Sequence, residues 1–184
     1  MNITANKGNA TLGFLRRNLK SCPVKLKEMA YLGLVRSTLE YSASIWDPYL
    51  SKDINTIEKV QRRAARFVKW DYRRTSSVTA MIQELGWKNL ADRRRELRLA
   101  LLYKVTHKLV AVPAESLNLT HPTRQTRSNH KYKYQTIRTN TNEFKNSFIP
   151  RTIPEWNSLP APTAEAESVA SFKAQLAKSE GLSA

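Results

Sequence analysis

Between Ser51 and Lys69 the sequence alternates apolar and basic residues at a spacing that only a helix can sort. With each residue advanced by about 100° around an axis, Ile54, Ile57, Val60, Ala64, Phe67 and Val68 fall on one side. Lys59, Arg62, Arg63, Arg66 and Lys69 fall on the other, within a sector of about 120°. Such a segment must bury one face against neighbours and leave the other to water or to a ligand. Arg73 and Arg74 carry the positive charge past its end.

Four further helices are expected around this one. Asn6 to Lys20 places Leu12, Leu15 and Leu19 on one stripe beside Arg16, Arg17 and Lys20, and Ser21-Cys22-Pro23 interrupts it. Pro23 suits a first helical turn. The following helix, to about Trp46, is apolar almost all round (Leu26, Met29, Leu32, Val35, Leu39, Ile45, Trp46) and is expected to be central and buried. Asp47-Pro48 ends it. Ser76-Ser77-Val78-Thr79 signals a new N-terminus, with Gly86 as its stop. A long helix from about Asn89 to Val110 opens with Arg93-Arg94-Arg95, and its apolar positions are poorly segregated.

The composition changes near Val112-Pro113. Six prolines follow that point, and residues 120–142 are rich in Thr, Asn and Arg. Lys131-Tyr132-Lys133-Tyr134 alternates charge and ring, which predicts a short exposed strand, and Phe144 to Ile149 predicts another. Pro150 to Leu159 reads as a short helix or turn carrying Trp156. Ser168 to Lys178 reads as a last helix through Val169, Phe172 and Leu176. The expected fold is therefore mainly α. It comprises a bundle of about five helices over residues 1–112 and a small irregular lobe with short strands over 113–184.

Charge sets the functional expectation. The chain has 31 Lys and Arg against 15 Asp and Glu, a formal charge of +16, while 41% of residues are hydrophobic. Enough apolar material exists for a core, so the basic excess belongs to a surface that attracts polyanions, nucleic acid first. Residues 59–74 hold seven cations and one carboxylate, Asp71. A row of cations on one helix face can neutralise consecutive phosphates, and guanidinium forks onto phosphate oxygens. A solvated surface face is the plainer explanation.

A second basic stretch contains Arg124, Arg127, Lys131, Lys133, Arg138, Lys145 and Arg151, with Tyr132, Tyr134, Phe144 and Phe148 interleaved. Cations with aromatics can follow a single strand and stack on its bases. The two tyrosines beside lysines fit that role better than the two phenylalanines, which suit a core. Trp46, Trp70, Trp87 and Trp156 read as packing anchors.

Catalytic chemistry has little support. Asp47, Asp53, Asp71 and Asp92 are scattered, and His107, His121 and His130 lack ligand spacing. Cys22 is the single cysteine, which excludes an internal disulfide and points to a reducing, intracellular compartment. There is no glycine-rich phosphate loop, no long apolar run for a membrane, and no signal-peptide pattern. No metal, cofactor, membrane or small-molecule substrate is expected.

Five strings stand in a telling order: KGNATLGFLRRNL at 7–19, LEYSASIWDP at 39–48, IEKVQRRAARFV at 57–68, YRRTSSVTAMIQELGW at 72–87 and TNTNEFKNSFIPRTIPEWNSL at 139–159. Together they resemble the region downstream of the polymerase palm in reverse transcriptases of non-LTR retrotransposons, of the jockey and chicken-repeat type. The resemblance runs from about residue 3 to about residue 176. It implies a thumb followed by a C-terminal extension. The family's polymerase needs paired palm aspartates, and no Asp-Asp pair occurs here. Its endonuclease is also missing, so the resemblance implies a chain that begins after the chemistry.

The expected function is sequence-tolerant, non-catalytic binding of RNA or an RNA–DNA hybrid. Lys59, Arg62, Arg63, Arg66, Arg73 and Arg74 are the principal phosphate contacts. Arg93, Arg94, Lys131 and Lys133 are secondary ones, and Arg16 and Arg17 possible helpers. The alternatives are a structural or protein-interaction module, and a decayed gene fragment without a selected role.

Overall fold

A computed structural model of the chain describes residues 2–122 and 130–181. It divides into two units. The first is formed by residues up to Ala43 with Asp47–Arg94, the second by Ser44–Trp46 with the residues from Arg95 onward. The division falls between Arg94 and Arg95, and the change of composition lies further along, near Val112-Pro113.

In the first unit, α1 (Asn2–Asn18) lies against α5 (Ser51–Lys69). Ala5, Leu12 and Leu15 are buried there. Gly8 makes the approach close: a Cβ at that position would stand 2.8 Å from Leu39 Cδ2 and 3.4 Å from Val60. α5 buries Ile57, Val60, Ala64, Phe67 and Val68, the face expected from its periodicity. It also buries Gln61. The Gln61 Oε1 accepts from the Tyr31 hydroxyl at 3.0 Å, and its Nε2 donates to the Lys88 carbonyl at 2.9 Å, so the amide is satisfied at both ends. Tyr31 stacks on Trp87 with ring centres 4.4 Å apart.

The single buried helix expected from Pro23 to Trp46 is instead broken. α2 (Val24–Ala30) runs into a π-helical segment, Tyr31–Arg36, then α3 (Ser37–Glu40), and after a turn α4 (Ala43–Trp46). Tyr31, Val35 and Leu39 are buried at a spacing of four and so share one face of this stretch. Ser42 adopts a left-handed backbone, φ 51°, at the break before α4. Leu26, Met29, Leu34 and Ile45 are consequently exposed, contrary to the all-round burial their composition suggests.

α6 (Val78–Glu84) starts where the two serines predict, with the Ser77 hydroxyl accepting from Ala80 N at 3.3 Å. It ends at Gly86, whose φ of 63° is open to glycine at little cost. α7 (Leu90–Thr106) follows, and the Glu58 carboxylate accepts from Ala91 N at 2.9 Å in its first turn.

The second unit packs the rest of α7 with α9 (Phe148–Asn157), α10 (Ala161–Ala164) and α11 (Val169–Gly181). α8 (Asn142–Lys145) and a 3-10 turn at Ala114–Leu117 complete it. Its core includes Leu99, Leu102, Tyr103, Ile153, Trp156, Phe172 and Leu176. Tyr103 stacks on Phe172 at 4.6 Å, and its hydroxyl donates to the Ala166 carbonyl at 2.6 Å.

Among the described residues there is no strand, and the helices are more numerous and shorter than the five expected. At Lys131–Tyr134 the chain finds no strand to pair with. Asn157 takes that place: it accepts from Tyr134 N at 3.0 Å and donates to Tyr134 O at 2.7 Å. The Trp156 indole donates to Tyr132 O at 2.7 Å. At Phe144–Ile149 the Thr141 hydroxyl accepts from Phe144 N and starts α8, after which α9 begins at Phe148. Pro150 sits in the first turn of α9, where its missing N–H has no partner to lose.

Candidate nucleic-acid interface

Lys59, Arg62 and Arg63 are exposed on the outer face of α5. The Arg63 guanidinium donates to Asn9 Oδ1 at 2.9 Å. Lys59 and Arg62 line an open cleft of about 570 Å³ with Asn55, Glu58 and Asn89. None of the three cations forms an ion pair with a described residue. Helical geometry brings them together because positions 59, 62, 63 and 66 share one side.

The other end of the row is engaged locally. Arg66 is half-buried, and its guanidinium donates to the carbonyls of Arg73 at 3.1 Å and Asp71 at 3.4 Å. Lys69 pairs with Glu84 at 2.6 Å. Arg73 forks onto Asp71 through Nε at 3.1 Å and Nη2 at 2.9 Å. Asp71 also accepts from Arg73 N and from the Ser76 hydroxyl. The hydrogen bonds from Arg73, then that from Ser76, hold its carboxyl well below the usual carboxylate range. Arg74 is exposed and unpaired among the described residues. The expected row is thus split. Lys59, Arg62, Arg63 and Arg74 are exposed and form no ion pair among the described residues. Arg73 is exposed but paired, and Arg66 acts as a clamp for the loop after α5.

Arg93 and Arg94 lie elsewhere than expected. Arg93 is bound by Glu40 through both Nε and Nη2. Arg94 is 1% exposed, with Nε 2.8 Å from Asp47 Oδ1, so it offers nothing to a phosphate outside. Within the second unit, Arg95 and Arg98 meet Glu155 at 2.9 and 2.7 Å. The triplet that reads as a basic patch is a set of internal ion pairs. Its partners lie 53, 47 and 60 residues away, beyond any local signal.

In the second unit, Lys131 is exposed, its backbone N donating to Glu165 Oε1 at 3.0 Å. Lys133 is half-buried. The tyrosines are not free platforms. Tyr134 is 3% exposed, with its hydroxyl on Thr106 Oγ1 at 3.0 Å, and Tyr132 packs against His107 with ring centres 4.7 Å apart. Arg138 and Lys145 are exposed and Arg151 is half-buried. Arg124 and Arg127 lie outside the described residues.

Phe144 of the second unit is 46% exposed rather than part of a core, and further exposed rings lie in the first unit. Trp87 and Trp156 are buried anchors, but Trp70 and Tyr72 are 41% and 42% exposed at the end of α5. The string Trp70-Asp71-Tyr72-Arg73-Arg74, two rings among charges directly after a helix, was the available signal.

Among the described residues no three of His, Cys, Asp and Glu come close enough to hold a metal ion. No described helix is long and apolar enough to cross a membrane. No protein-family model, curated protein or solved structure matches this chain.

Proposed function

We propose that this chain grips the sugar–phosphate backbone of RNA or an RNA–DNA hybrid without reading sequence. The observation that carries this reading is the group Lys59, Arg62 and Arg63 on one helix face, with Arg74 just past its end, all exposed and without an ion pair among the described residues. Repeating phosphates match a row of fixed cations, and displaced counterions drive the association. The ordered strings that resemble the thumb and post-thumb of a non-LTR reverse transcriptase support the same reading, with polymerase chemistry left to parts not contained in this sequence.

Titration of labelled RNA and of a labelled hybrid at several salt concentrations tests it. Affinity falls steeply as salt rises and is similar for unrelated sequences. A primer-extension assay with magnesium gives no product.

A second reading is favoured by one observation. Leu26, Met29 and Leu34 are exposed along α2 and the π segment, as a helix contact surface would be. On that reading the chain is an interaction module, and RNA titration shows no binding at any salt.

A further inference from the structure

We propose that Trp70 and Tyr72 form a stacking platform for unpaired bases of a single strand that adjoins the gripped duplex. The inference rests on the backbone-binding reading above and names the part of the nucleic acid that the end of α5 receives.

The argument starts with the backbone. Trp70 is the residue at which α5 ends, and it has φ 54° and ψ 35°. This left-handed position normally goes to glycine, because a Cβ there crowds the following carbonyl. A tryptophan held in this conformation at a surface is an outlier of the kind that gathers at binding sites. One face of the indole is occupied: Lys27 Nζ lies 4.5 Å from the ring centre, and Lys27 is only 4% exposed. Trp70 is nonetheless 41% exposed, so part of the indole beyond the Lys27 contact is open to solvent.

Tyr72 meets Trp70 edge-on, with ring centres 5.7 Å apart and planes at 86°. The Arg16 guanidinium lies 5.0 Å from the Tyr72 centre. The loop between and beyond the rings is fixed from both sides. Asp71 is held by Arg73 and Ser76, and Arg66 holds the carbonyls of Asp71 and Arg73. The rings and the flanking charges border a shallow cleft of about 550 Å³ lined by residues 69–73.

Chemistry selects the ligand. An exposed apolar ring pair alone would suit a protein. Here Arg16 lies over the Tyr72 ring and Arg74 follows two residues after it in sequence, both exposed and without an ion pair among the described residues. Stacking on rings combined with phosphate pairing is the way unpaired strands are held without sequence preference, because every base has a π face. Fixed rings lose little freedom on binding. A base pair inside a duplex does not expose its face, so the platform serves an overhang.

The test compares a blunt RNA–DNA hybrid with the same hybrid carrying a single-stranded extension of about four nucleotides. The extension contains 2-aminopurine, whose fluorescence falls on stacking. With the unsubstituted chain the extension raises affinity about tenfold and the fluorescence is quenched. Trp70→Ala removes the gain and the quenching but keeps the blunt-hybrid affinity, whereas Trp70→Phe retains most of both. Tyr72→Ala reduces the gain. Equal affinity for the two probes with unquenched fluorescence overturns the platform and leaves the backbone grip standing. Failure of both probes to bind overturns the backbone grip, and the platform with it.

Discussion

Arg94 Nε lies 2.8 Å from Asp47 Oδ1, with 1% of the arginine side chain and 6% of the aspartate side chain exposed. The two Nη atoms of Arg94 are buried and have no hydrogen-bond partner among the described residues. A pair of this kind is costly to break from one side. Asp47→Ala leaves a buried cation and Arg94→Met a buried carboxylate, and each lowers unfolding free energy by about 3–5 kcal/mol, whereas Asp47→Leu combined with Arg94→Met costs much less than the two together. Urea unfolding of the two single variants and the double variant measures the coupling, and additive losses would contradict it.

Arg62 and Arg66 are one helical turn apart and do different work. Arg62→Ala leaves stability within about 0.5 kcal/mol, as for an exposed residue, and weakens RNA binding. Arg66→Ala loses hydrogen bonds to two carbonyls and lowers stability by about 1 kcal/mol. Amide exchange at Arg73 and Ser76 quickens in the Arg66 variant alone. A uniform loss of RNA affinity without any change in that exchange would place Arg66 at the interface instead.

His130 makes the second unit sensitive to acid. Its Nε2 lies 3.0 Å from the Trp156 carbonyl, and its Nδ1 is buried without a partner among the described residues. A carbonyl only accepts, so Nε2 carries the proton of a neutral ring. Burial, the largest effect, pushes the pKa below 6.5. The charge on Lys133 adds to this, while the Trp156 contact and Glu165 oppose it. The unfolded chain therefore takes up the proton first. Stability is full above about pH 6.5 and falls as the pH drops from there towards the lower folded value. Thermal unfolding from about pH 8 to 5 shows the fall, and His130→Gln flattens it. An unchanged profile in that variant would assign the effect to other groups.

Two glycines predict opposite shifts. A Cβ at Gly13, inside α1, meets nothing nearer than Arg17 Nη1 at 3.7 Å, so Gly13→Ala raises stability by about 0.5–1 kcal/mol. Gly86 holds φ 63° after α6, so Gly86→Ala lowers it by about 1–2 kcal/mol. Melting temperatures of the two variants on either side of the parent check both assignments.

How much of this was legible in the sequence varied with the range of the interaction. α5 was plain because its two faces follow a local period, and so were the start of α6 and its glycine stop. The interruption of the helix expected from Pro23 to Trp46 was not, since no local period marks the π segment or the left-handed Ser42. The alternation at Lys131–Tyr134 suggested a strand, but alternation needs a neighbouring strand, and here the Asn157 side chain supplies the pairing. The proposed interface was half legible. Charge pattern picks out Lys59, Arg62, Arg63 and Arg74, which the structure leaves exposed, yet burial alone decides that Arg94 is internal and that Trp70, rather than Tyr134, is exposed.

The most direct measurement is the salt dependence of hybrid binding by the parent chain and by a triple variant, Lys59→Glu with Arg62→Glu and Arg63→Glu. For the parent, the logarithm of affinity falls linearly with the logarithm of salt concentration, by about 0.9 per phosphate engaged on B-form duplex and comparably here. The triple variant binds all sequences more weakly, with a slope shallower by about three contacts and an unchanged melting temperature. An affinity indifferent to salt, or untouched by the triple reversal in a folded protein, would contradict the account.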